Sequence, residues 1–165
     1  MNEWLREAPR AQPLCTVVAA LVNIADFSTR APRWLLPEDA LNTGRHRFRL
    51  LATHHLPHGW DAGMLFEERD RTLFCSDLFL HGGEVEPMTE SDVVGPARKA
   101  IAAFQSTQLM NSYPFTAKTD RLMRELADLD PTTLAIMHGS SFRGDGAKAL
   151  REMAKALKEA PGPEP

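Results

Sequence analysis

The chain has 165 residues, 43% of them hydrophobic and 25% charged, the composition of one ordinary globular domain. A formal net charge of -3 and scattering of the 19 Lys and Arg residues exclude broad attraction to a phosphate backbone, so nucleic acid is not an expected partner. No stretch approaches the roughly 20 apolar residues a membrane helix needs, and the N-terminus lacks a basic region leading into an apolar core, so a cytoplasmic protein is expected.

Leu14, Val17, Val18, Leu21, Val22 and Ile24 form an apolar face at helical spacing, which predicts a helix after a Pro13 start. Pro32, Pro37 and Asn42-Thr43-Gly44 leave room only for short extended pieces over 32–44. A strand follows over 45–52, with His46, Phe48, Leu50 and Ala52 alternating with Arg45, Arg47, Arg49 and Leu51. Two apolar runs, 64–66 and 72–76, joined by Glu67-Glu68-Arg69-Asp70-Arg71, predict a hairpin whose second strand ends at Asp77.

Thr89-Glu90-Ser91-Asp92 offers N-cap residues for a helix through about Phe104. Leu122, Leu126 and Leu129 mark another over 116–128, closed by Pro131. A short buried strand over 134–137 delivers His138-Gly139, and a last helix over 146–157 precedes a Pro- and Gly-rich tail. One domain over 1–158 and a disordered tail over 159–165 are expected. Cys15 and Cys75 lie far apart in apolar runs, which suits reduced buried thiols better than a disulfide.

Three segments place a potential metal ligand at a strand end or in a loop feeding a strand: Pro57-His58-Gly59-Trp60-Asp61, Cys75-Ser76-Asp77-Leu78-Phe79 and Ile136-Met137-His138-Gly139-Ser140. Neutral imidazole and carboxylate are ordinary ligands of zinc, iron and manganese, and strand-end loops can converge them at one sheet edge. Alone, each has a plainer reading: a loop histidine, a turn carboxylate, a strand-end histidine.

The run Thr53-His54-His55-Leu56-Pro57-His58-Gly59-Trp60-Asp61-Ala62-Gly63, followed by Thr72-Leu73-Phe74-Cys75-Ser76-Asp77-Leu78-Phe79 and later by Met137-His138-Gly139-Ser140, resembles metallo-β-lactamase-fold proteins of the flavodiiron-like branch. The resemblance implies an α/β fold, the C-terminal part of a metallo-β-lactamase αββα sandwich, with Asp77 bridging two metal ions while His58 serves one and His138 the other. Placing the ligand at His58 aligns Asp61-Ala62 with the family's acidic-small step without a gap, whereas His55 would require three extra residues. His54 and His55 are then supporting or surface residues. The implied cofactor is a dinuclear iron or zinc centre, which either activates a bridging water for hydrolysis or binds and reduces dioxygen.

The family's earlier motif of the HxHxDH or HxExDH type has no counterpart: His46 is the first histidine, on a predicted strand with no acidic partner nearby. Met1-Asn2-Glu3-Trp4-Leu5 resembles the segment just downstream of that motif. The resemblance therefore implies a truncated chain, inactive as it stands, with too few ligands for a tight dinuclear site and a sheet edge and apolar face left bare, which invites self-association. A metallo-hydrolase or di-iron oxidoreductase in complete form is one reading. A metal-free binding or regulatory module, and an interaction subunit completed by another chain, are the others. The partner that the resemblance implies is a small-molecule substrate or dioxygen; no flavodoxin-like segment or phosphate-cradling glycine loop is evident. Candidate substrate loops are His81-Gly82-Gly83 and Asn111-Ser112-Tyr113-Pro114-Phe115.

Overall fold

A computed structural model of the chain describes residues 1–36 and 39–160. In chain order the elements are α1 (Asn2–Glu7), β1 (Leu14–Cys15), α2 (Val17–Ala19), a π-helical turn (Ala20–Ile24), α3 (Ala25–Phe27), β2 (Arg33–Trp34), β3 (Ala40–Asn42), β4 (Arg47–Ala52), β5 (Gly63–Glu67), β6 (Thr72–Phe74), β7 (Met88–Thr89), α4 (Val94–Phe104), α5 (Thr119–Ala127), β8 (Thr133–Ala135), β9 (Ser141–Arg143) and α6 (Gly146–Glu159). Among the described residues, β3 to β9 make a seven-stranded sheet in the order β3-β4-β5-β6-β8-β9-β7, and β1 and β2 form a separate parallel pair.

Cross-strand register sorts the sheet into two faces, because directly paired residues point the same way. Met64, Phe66, Leu73, Leu134 and Phe142 share one face and are buried under α4, α5 and α6. The helices present small and aliphatic residues to it, including Ala97, Ile101, Met123, Leu150 and Met153. The opposite face carries Leu41, Phe48, Leu50, Leu65 and Phe74. The N-terminal segment meets its Leu50, Ala52 and Gly63 end through Thr16, Val17 and Val18. Phe74 is 42% exposed and Leu41, Phe48, Leu50 and Leu65 are half-buried, so this face is partly covered, and among the described residues β3 and β7 are the outer strands of the sheet.

Several boundaries differ from the sequence reading. The helix expected after Pro13 begins only at Val17, because Leu14 and Cys15 pair with Arg33 and Trp34, and Thr16 caps the turn by accepting the Ala19 amide at 3.0 Å. The hairpin forms, but β6 ends at Phe74, leaving Asp77 in a turn three residues beyond the strand. Asp92 does cap α4, accepting the amides of Val94 and Gly95 at 2.9 Å each. The last helix runs on to Glu159, past the expected boundary at 158, since nothing breaks its periodicity before the Pro-Gly run, and Asp145 accepts the Lys148 amide at its start. The expected tail lies outside the described residues from 161 onward. No helix among the described residues is long and apolar enough to cross a membrane.

Candidate metal site

The backbone leaves β6 through Ser76, whose φ of 48° puts a non-glycine residue in the left-handed region and breaks the extended path. The ladder nonetheless carries past the strand, with the Cys75 amide donating to the Ala135 carbonyl at 3.0 Å and the Met137 amide to the Ser76 carbonyl at 3.1 Å. These bonds lock the turn holding Asp77 beside the turn holding His138. Leu78 and Phe79, fully buried, anchor the far side of the Asp77 turn in the core.

The loop between β4 and β5 brings in His58. Thr53 fixes its base, its hydroxyl donating to the Leu56 carbonyl at 2.7 Å, and the His55 amide donates to the Gly59 carbonyl at 2.7 Å to close the turn. His55 itself has φ 64°, and His54 turns its Nδ1 onto the Trp60 carbonyl. Of the three neighbouring histidines it is His58 that meets Asp77.

The three residues singled out in the sequence therefore come together. His58 Nε2 lies 3.2 Å from Asp77 Oδ2, and His138 Nε2 lies 3.5 Å from Asp77 Oδ1. Each imidazole faces a different oxygen of one carboxylate. Asp77 Oδ1 is buried and has no hydrogen-bond partner among the described residues, although buried carboxylate oxygens are normally satisfied. Imidazole and carboxylate are ordinary ligands of first-row transition metals, but among the described residues the group whose ligand atoms all lie within 4.8 Å of one another is His46, Glu67 and Asp70, not these three.

Tyr113, in the candidate substrate loop 111–115, adjoins the site. Its hydroxyl donates to the Asp77 carbonyl at 2.7 Å, its ring stacks on Phe104 at 6.4 Å, and it meets the His58 ring edge-on at 6.3 Å. Burial, then the negative charge of Asp77, raises its phenol well above the ordinary tyrosine range.

His46 has acidic partners that its sequence neighbourhood does not contain. Strand pairing brings its Nδ1 within 3.2 Å of Glu67 Oε1 and 4.0 Å of Asp70 Oδ2. The Glu67 carboxylate is engaged in the hairpin turn, accepting the Arg69 amide at 3.0 Å and the Asp70 amide at 2.7 Å. This cluster is a turn cap with a histidine attached.

No protein-family model matches the sequence, and no curated protein matches it. The fold does have solved counterparts. A flavodiiron protein from Giardia intestinalis superposes with a TM-score of 0.70 at 16% identity, over 95% of this chain and 38% of that one. A flavoprotein from Thermotoga maritima gives 0.73 at 15%, over 96% and 39%. Rubredoxin oxygen:oxidoreductase from Desulfovibrio gigas gives 0.71 at 16%, over 90% and 38%. The chain thus spans about two fifths of the length of these proteins, and its mixed α/β fold with one large sheet matches part of theirs, as the resemblance implied.

Proposed function

We propose that this chain carries one side of a dinuclear metal centre of the di-iron, oxygen-binding kind, with Asp77 bridging the ions, His58 serving one and His138 the other. The observation that carries the reading is the arrangement of two imidazoles on opposite oxygens of one half-buried carboxylate, one oxygen of which is otherwise unsatisfied. The fold it shares with flavodiiron proteins supports the same reading.

When bound, a pair of ions supplies either an activated bridging water for hydrolysis or, as iron, a place for dioxygen to bind and be reduced. The chain's own residues contribute position and charge. Asp77 supplies the negative charge that offsets the cations, and Tyr113 fixes its backbone. His58 and His138, each more than half exposed at the side chain, leave the outer side of the site open to a small-molecule substrate or dioxygen. Three protein ligands are few for two ions, so water, substrate or residues outside this chain complete the set.

Iron or zinc binding to the chain and to Asp77→Asn, followed at equilibrium by anaerobic titration, tests the reading. The substitution keeps the shape but removes the charge, so metal binding weakens while the denaturation midpoint stays nearly constant. Unchanged metal binding with stability lowered by about 0.5–2 kcal/mol marks Asp77 as a turn cap and overturns the reading.

A further inference from the structure

His138 has little of its own to hold it in place. Its side chain is 60% exposed, and Met137 beside it is 65% exposed, so side-chain packing at these two positions does not locate the turn. Its direction toward Asp77 must come from the backbone of the turn 137–140. That turn is tied down by the Met137 amide on Ser76, by the Ser140 hydroxyl on the Glu86 carbonyl at 2.6 Å, and by His81.

His81 is the tie that joins the two ligand-bearing segments through a side chain. It lies four residues beyond Asp77 in the same loop and is 7% exposed. Its Nδ1 donates to the Phe79 carbonyl at 2.9 Å, and its Nε2 accepts the Ser140 amide at 3.0 Å. One nitrogen faces an acceptor and the other a donor, so only the neutral form protonated at Nδ1 satisfies both. The His81 amide donates to the His138 carbonyl at 3.1 Å. Residue 81 thereby grips the turn on both sides of Gly139, and its ring fills the space where a Gly139 side chain would stand.

We propose that His81 is the positioning residue for His138: its ring joins the Asp77 loop to the turn 138–140 and so sets the His138 imidazole against the carboxylate. The positional claim concerns the protein alone; its consequence for metal rests on the proposed function.

Two variants separate this role from general support of the fold, because each keeps one of the two ring bonds. His81→Gln places an oxygen where Nε2 stood, three bonds from Cβ, and can still accept the Ser140 amide. His81→Asn reaches only as far as Nδ1 and can still donate to Phe79. In the metal-free chain, NMR reads Ser140 amide exchange and the contact between the His138 ring and Asp77. Visible absorption then follows binding of Co²⁺ as the probe metal.

The expected result is that His81→Gln keeps the protected amide, the His138 contact and cobalt affinity. His81→Asn loses the first two and binds cobalt about 10- to 100-fold more weakly, the usual effect of losing a group that orients a ligand. Both variants keeping the His138 contact and, where cobalt binds at all, the wild-type affinity would overturn the proposal while leaving the metal reading intact. A wild-type chain that binds no cobalt, with the NMR difference between the variants still present, would sustain the positioning role and count against the metal reading.

Discussion

The ring of His81 and the α-carbon of Gly139 approach so closely that a Cβ on Gly139 would sit 2.5 Å from His81 Cε1 and 2.6 Å from both ring nitrogens. Gly139 also has φ 116°, which L side chains rarely adopt. Both facts explain why a glycine follows His138. Gly139→Ala is expected to lower stability by about 1–3 kcal/mol from backbone strain, with displacement of the buried ring added. A urea midpoint measures the loss; a change within error would show that the turn has room to relax.

Tyr113 is the chain's single tyrosine, so the rise in absorbance near 295 nm on tyrosinate formation reports it alone. Burial and then the Asp77 charge raise its folded-state value above the unfolded one, near 10. The hydroxyl's stabilising contribution is therefore complete below about pH 10 and is lost as pH rises past it, when ionisation favours the unfolded chain. Native protein should show no tyrosinate at pH 10, and any that appears at higher pH should accompany unfolding. Tyr113→Phe should cost about 1 kcal/mol, since the Asp77 carbonyl loses one of its two donors and keeps the Leu80 amide.

Glu67 titrates in the opposite sense. Burial alone would raise its carboxyl, but hydrogen bonds from the Asp70 and Arg69 amides, together with His46, outweigh this and hold it below the ordinary glutamate value. Its contribution to stability is present above about pH 4.3 and is lost as pH falls through the lowered folded value. Glu67→Gln should shallow the acid limb of a stability–pH curve while leaving the site near Asp77 intact. An acid limb identical to that of the wild type would show the carboxylate does not cap the turn in solution.

The two thiols should differ sharply in reactivity. Cys75 is fully buried, and burial pushes it up to about 12, so at pH 8 almost none is thiolate. Cys15 is only half-buried, with a more modest rise. Mass spectrometry after brief alkylation of the native chain should find label on Cys15 before Cys75, with both labelled in denaturant. Early label on Cys75 would mean that β6 and β8 open readily.

The exposed Phe74 on the sheet face opposite α4–α6 predicts self-association. Phe74 projects from β6 beside Phe48, the rings 6.2 Å apart, with no helix of the α4–α6 layer over them. Phe74→Thr keeps a strand-forming residue but removes the aromatic surface. Sedimentation velocity should show a larger monomer fraction for the variant. A wild-type chain that is already monodisperse and monomeric would remove the basis for this expectation.

The sequence alone determined which segments could carry the site. Asp77 and His138 each follow a short apolar run and His58 lies in the loop feeding another, and such runs report burial through local pattern, so the three loops could be marked as candidates, with the family resemblance making the choice. The cap at Asp92, the hairpin and the three C-terminal helices were legible for the same reason, because caps and periodicity act within a few residues. Strands β7 and β9 were not, since two or three residues carry no period, and β7 finds its partner β9 about 50 residues away.

Only the tertiary structure decided what surrounds the three residues. The hydroxyl of Tyr113 reaches Asp77 across 36 residues, the ring of His81 reaches Ser140 across 59, and Glu67 meets His46 through strand pairing. None of these leaves a local trace, because a hydrogen bond between distant segments constrains each residue type without imposing a pattern on its neighbours. That His58 faces the carboxylate is likewise a matter of chain path: His55 sits in the left-handed region, and His58 Nε2 lies 3.2 Å from Asp77 Oδ2.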